Sequence, residues 1–158
     1  MKNIIQAIGA AIMLTFSANP GLAADLQSVN PPALYDPVPN GYSHAMIAND
    51  LLFIAGQGGE NQKGDLDPDF EAQVAQAYQN LDTALDAAGA RPDQVIKLTT
   101  YVVDHDQAKL AVLTRQLKAV FGSHLPTQTL VPVPRLALDG MLFEVDAIAI
   151  LEPGNLQR

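Results

Sequence analysis

Two hydrophobic periods take turns along the chain. Tyr42 to Ile47 and Leu51 to Ala55 are short apolar-rich runs separated by Asn49-Asp50, which predicts a β-hairpin. A helical period follows, with Phe70, Val74, Ala77, Leu81, Leu85 and Ala88 along one face and Gly89 as the stop. Asp67 is the expected cap of this helix, because Pro68 suits the first helical position and Asp69 and Glu71 suit the positive end of the helix dipole. Ile96 to Val103 reads as a third strand. Asp104 or Asp106 then caps a second helix with Leu110, Leu113, Leu117 and Val120 on one face, and Gly122 ends it. Thr127 to Val133 and Leu142 to Leu151 complete the pattern as strands, joined through the turn residues Leu138-Asp139-Gly140. This order predicts a single α+β domain, a mixed sheet with both helices packed on one face.

The last strand is the unusual one. Glu144 and Asp146 interrupt its apolar run, and because side chains alternate on a strand they project from one face, with Cα atoms roughly 7 Å apart. A carboxylate pair on a buried-looking strand requires a partner, a ligand or water. Val145, Ala147 and Ala149 line the other face, while Ile148 and Ile150 stand beside the carboxylates. Helices cover one side of such a sheet, and oligomerisation is expected to cover the bare one.

Composition narrows the setting. A chain of 158 residues, 48% hydrophobic, buries one core and is too short for two ordinary domains. Lys2, the apolar run from Ile4 to Ala18 and the small residues up to Ala24 read as a secretory signal peptide over residues 1–24. A membrane anchor is the rival reading, although the run is shorter than the ~20 residues a spanning helix needs. Cleavage after Ala23 or Ala24 removes Lys2 and no acidic residue, making the exported chain more acidic than the formal −8 of the whole sequence. The expected location is the periplasm of a Gram-negative bacterium, or outside the cell. The acidic balance argues against nucleic acid or a membrane surface as partner. The absence of cysteine excludes disulfides, a thiol nucleophile, iron–sulfur clusters and thiolate zinc sites. Residues 25–40, with Pro31-Pro32, Pro37 and Pro39, are expected to form an extended arm, residues 41–152 the domain, and 153–158 a tail.

Few motifs carry chemistry on their own. Gly56, Gly58 and Gly59 around Gln57 could cradle an anion, but no helix opens behind them and dinucleotide spacing is missing, so Gln57 to Glu60 reads as a flexible loop. His44, His105 and His124 fall on separate elements, and neither a metal nor another cofactor is expected. Ser123-His124 lacks the strand–turn–helix elbow of a serine hydrolase.

Several stretches, taken in order, resemble one known family. Tyr42-Ser43-His44, Ile54-Ala55-Gly56-Gln57, Gln79-Asn80-Leu81-Asp82, Ala87-Ala88-Gly89-Ala90 and Phe143 to Ala149 are similar to motifs of the RidA/YjgF family, over about Pro39 to Leu151. The resemblance implies a chorismate-mutase-like α+β fold and a homotrimer with a small-molecule cleft between subunits. It also implies hydrolysis of enamines and imines such as 2-iminobutanoate and 2-iminopropanoate to a 2-oxo acid and ammonia. Carried over residue by residue, the glutamate that positions water falls on Glu144, the cleft tyrosine on Tyr42, and the serine of the Ser-Gly-Gln motif on Ala55, next to Gly56. The carboxylate-binding arginine falls on Gln128.

That last position changes the expectation. A guanidinium gives a carboxylate charge-assisted hydrogen bonds of ~1.5–3 kcal/mol each, whereas an amide gives ordinary ones near ~1 kcal/mol. The sequence is thus similar to members that lack the arginine, and a non-standard substrate is expected. One extra residue between Gln128 and Glu144 suggests a bulge. Arg135, Lys97 and His44 read as surface or interface residues rather than substitutes for the missing charge. Glu144 is either a water-positioning base or a carboxylate tied to backbone amides or a neighbouring subunit's lysine, and Asp146 is structural. An imine or enamine hydrolase and a non-catalytic trimer that binds a ligand or another protein are the two readings carried forward.

Overall fold

The computed structural model describes residues 26–152; the signal peptide expected at 1–24 and the tail at 153–158 lie outside the described residues. The elements are β1 (Leu26–Val29), β2 (Ala45–Ala48), β3 (Leu51–Gly58), α1 (Phe70–Ala87), β4 (Val95–Val103), α2 (Gln107–Phe121), β5 (Thr127–Val133) and β6 (Phe143–Ile150). They form a six-stranded sheet in the order β1-β2-β3-β6-β4-β5. Neighbours run antiparallel except β4 and β5, which α2 joins as a crossover. A parallel pair needs such a long connection, because its strands must start from the same end.

One face of the sheet meets the helices. Leu52, Ile54, Leu98, Val102, Phe143, Val145, Ala147 and Ala149 are buried there against Val74, Ala77, Leu81 and Leu85 of α1 and Leu113 of α2. Each fully buried Leu or Phe of this set contributes about 1.5–3 kcal/mol. The other face carries rows fixed by register: Met46, Phe53, Ile148, Lys97 and Thr127 lie side by side, as do Asp146, Thr99 and Thr129. Met46, Phe53 and Ile150 on this bare face are 36%, 42% and 44% exposed.

The chain departs from its pattern in several places. The segment read as an irregular arm opens with β1, whose backbone pairs with β2 from Leu26↔Ala48 to Val29↔Ala45; pairing through the backbone alone leaves little side-chain signal. Helix α1 is capped by Asp69, which accepts from the Ala72 amide at 2.9 Å, and not by Asp67. Asp67 instead accepts from the Asp69 amide at 2.8 Å, an Asx turn that sets up the true cap. Of the two expected caps of α2, Asp106 is the one used, accepting from the Lys109 amide. Leu110, expected in the α2 core stripe, is 37% exposed. The register of β4 with β5 is continuous, so the extra residue beyond Gln128 belongs to the loop before β6 and makes no bulge there.

Candidate functional site

The bulge is in β3 instead. Its register with β6 passes from Ile54↔Ala147 to Gln57↔Val145, which takes Ala55 and Gly56 out of the ladder. Glu144 lies across this gap: a Cβ on Gly56 would fall 1.9 Å from Glu144 Oε1. Only glycine leaves room for that carboxylate. Two residues on, a Cβ on Gly58 would fall 2.3 Å from Glu60 Oε2 and 2.5 Å from the Met141 methyl. Stripping the β3 backbone of side chains thus lets carboxylates from two other segments fold onto it.

These groups border a cavity of about 750 Å³, lined among others by Tyr42, Ala55, Gly56, Glu60, Met141 and Glu144. Tyr42 lies just before β2. Burial raises the Glu144 pKa above the usual carboxylate range, and the nearby charges of Glu60 and Asp146 add to the rise. Burial also raises that of Glu60, while the backbone amides of Glu60 and Gly58 pull the other way. The Tyr42 phenol is pushed up by burial, then by Glu60 and Glu144. It stays protonated and can donate a hydrogen bond into the cavity.

Helix α1 holds one wall. Asn80 Nδ2 donates to the Gly58 carbonyl at 3.0 Å and the Glu60 carbonyl at 2.8 Å, and its Oδ1 accepts from Gln76 at 2.9 Å. Gln73, fully buried, donates to the Asp67 and Gly140 carbonyls at 2.7 and 2.8 Å and accepts from the Leu142 amide at 2.8 Å. It thereby ties α1 to the loop that carries Met141. Behind Tyr42, His44 is buried and not at the surface, because the segment before β2 folds over it. Its Nδ1 accepts from Gln57 Nε2 at 3.4 Å, so its Nε2 carries the proton and donates to the Tyr35 carbonyl at 2.8 Å. Burial lowers its pKa and keeps the ring neutral.

The structure therefore brings Tyr42, Ala55, Gly56 and Glu144 together around one cavity. It does not bring Gln128 to them within a chain. Gln128 pairs with Leu98 on the helix-covered face, two strands from β6, and donates to Thr100 Oγ1 at 3.0 Å. Asp146 accepts from the Tyr101 hydroxyl at 3.1 Å. Lys97 donates to the Leu98 carbonyl and Thr129, and Arg135 pairs with exposed Asp139, so neither reaches the cavity. Among the described residues no group of three or more His, Cys, Asp or Glu could hold a metal ion.

Glu60 is the residue the sequence reading missed. The stretch taken for a flexible loop is the end of β3, followed by a bridge between Glu60 and Leu66, and Glu60 is only 4% exposed. A signal was present in α1. Gln73 and Asn80, seven residues apart, fall on the same face as Val74, Ala77 and Leu81, and amides facing a core demand backbone to bond nearby.

Comparison with known proteins gives a consistent set of relatives. The profile described as Endoribonuclease L-PSP matches residues 36–151. The RutC family protein YjgH of Escherichia coli is 36% identical over 108 residues, 68% of this chain and 81% of that protein. The 2-iminobutanoate/2-iminopropanoate deaminase of the same species is 27% identical over 133 residues, 82% of this chain and 98% of that enzyme. A solved structure of protein YjgH superposes with a TM-score of 0.73 at 32% identity, covering 80% of this chain and 97% of that one.

Proposed function

The chain belongs to the Endoribonuclease L-PSP family, that of the RidA/YjgF and RutC proteins, and on that premise we propose that its cavity hydrolyses a small imine or enamine. The reaction adds water across C=N, collapses the resulting carbinolamine to a carbonyl and releases the nitrogen as ammonia. The observation that carries this reading is Glu144, held over a side-chain-free backbone in a cavity shared with Tyr42. Its raised pKa brings it nearer the neutral range, where a carboxylate can take a proton from attacking water and return it to the departing nitrogen. The Tyr42 hydroxyl is available to the nitrogen or the new oxygen. Gly56, outside the strand ladder, offers its backbone to the same oxygen.

A homotrimer is part of the proposal. The apolar row Met46, Phe53 and Ile148 on the bare face supports burial against another copy, and a neighbouring β5 is the source of Gln128 at each cleft. With an amide in place of the family arginine, imines bearing a carboxylate are expected to be poor substrates. RNA is an unsuitable substrate for a chain of formal charge −8 whose cavity presents two carboxylates. The leader over residues 1–24 supports a periplasmic or secreted protein. The alternative, a non-catalytic trimer that holds a ligand or docks a partner, is favoured by Gln128 alone.

The test generates 2-iminopropanoate with an amino-acid oxidase and follows its disappearance, with light scattering to count subunits. Slow wild-type hydrolysis, faster hydrolysis by Gln128→Arg, and loss in Glu144→Gln are expected. If Gln128→Arg gains nothing and Glu144→Gln loses nothing, imine hydrolysis is wrong; a monomer in solution removes the shared cleft.

A further inference from the structure

The strongest unexplained group outside the assigned machinery is Glu60. It is 4% exposed and its Oε2 has no hydrogen-bond partner, yet it lines the same cavity as Glu144. A buried carboxylate oxygen without a partner is costly, and the cost is removed when a cation or donor arrives. Among the described residues no cation does that. Arg91, Arg115 and Arg135 are engaged in exposed ion pairs elsewhere. Lys97 and Lys109 donate to backbone carbonyls, Lys118 lies on α2, and Lys63, which lines the cavity, is exposed and forms no ion pair with either carboxylate.

We propose that Glu60 and Glu144 together make this cavity a receptor for a small cationic ligand without a carboxylate: a primary ammonium or protonated iminium on a short apolar group. Building on the cavity's assignment as the active site, this makes the protonated iminium its substrate class and a primary ammonium a ligand with no C=N bond to hydrolyse. The two carboxylates supply paired acceptors for an N–H-bearing cation and repel an anion, which the amide of Gln128 does not offset. Ala137, Leu138 and Met141 line the same cavity and receive the apolar part, and the rings of Tyr35 and Tyr42 add faces that attract positive charge. Asn80 fixes the carbonyls of Gly58 and Glu60 and so holds the backbone that carries the Glu60 carboxylate.

The test uses the full chain with n-butylammonium chloride and sodium butyrate, probes of equal length and opposite charge, by calorimetry at matched ionic strength and neutral pH. Butylammonium is expected to bind at least about tenfold more tightly than butyrate. Glu60→Gln and Glu144→Gln should each erase most of that preference, and Lys63→Gln should preserve it. A readout that needs no variant is the ε-methyl NMR signal of Met141, which touches the same glycine as Glu60 and should shift with butylammonium only. Equal or tighter butyrate binding, an unchanged preference in Glu60→Gln, or a shift confined to Met46 on the bare face overturns the proposal. Butylammonium preference without hydrolysis of any imine would overturn the enzymatic reading and leave this one standing. Rapid wild-type hydrolysis of 2-iminopropanoate with butyrate as the better ligand would do the reverse.

Discussion

The bare face of the sheet holds two polar patches one pleat apart on β6, and they are built on opposite plans. Around Asp146 the polar side chains pair with one another: Tyr101 donates to the carboxylate, and Lys97 donates to Thr129. Around Glu144 the neighbours are a bare backbone, a phenol and a second carboxylate, and Glu60 keeps an oxygen without a partner. Strand alternation assigns the two carboxylates the same face, yet only the surroundings separate a scaffold residue from a reactive one. Chemistry collects where hydrogen bonding is left incomplete.

The sharpest way to break that contrast is to neutralise each carboxylate in turn. Glu144→Gln is expected to cost about 10²–10⁴-fold in turnover, the usual worth of a general base, whereas Asp146→Asn, which keeps an acceptor for Tyr101, stays within about threefold. Equal losses in a kcat assay of the two variants would dissolve the distinction. Next comes the wall behind the reactive patch. Gln73→Leu strands the Asp67 and Gly140 carbonyls and the Leu142 amide, each unsatisfied group costing about 1–3 kcal/mol, so a drop in Tm of several degrees is expected in thermal unfolding.

Glu60→Gln has a smaller and pH-dependent effect on stability. A carboxyl whose pKa is raised in the fold favours the native state fully below its unfolded pKa and loses that contribution as pH rises through the folded value. The variant should therefore melt above the wild type at pH 8 and converge with it near pH 4, in the range where an unfolded glutamate titrates. A constant difference across that range would mean burial of Glu60 is not what the variant relieves. The smallest effect is expected at Arg135→Ala. Its partner Asp139 is exposed, and such pairs contribute about 0–1 kcal/mol, so urea unfolding should barely move.

The fold was legible because α1 and β6 each carry a clear period. Phe143, Val145, Ala147 and Ala149 could face only a core, and Gly122, at φ 57°, marks the end of α2 as its position in the sequence suggests. Three features were not legible, for different reasons. Asp67 and Asp69 are equally good caps, and Gln73 decides between them by taking the Asp67 carbonyl. β1 is an edge strand recognised only by its partner. Glu60 looks like a solvated loop residue until Asn80 pins the backbone around it, a contact spanning 20 residues. Gln128 raises the opposite problem: its importance rests on relatives, while within one chain it serves Thr100.

The grip of Gln73 and Asn80 on both walls of the cavity has a practical corollary. Because the helix that closes the core also clamps the pocket, occupancy and global melting are one equilibrium, and a ligand at a hundred times its Kd adds about 2.7 kcal/mol to the folded state. A library of amines and imine precursors could therefore be ranked by melting shift before any reaction is assigned, letting the molecule report its own substrate.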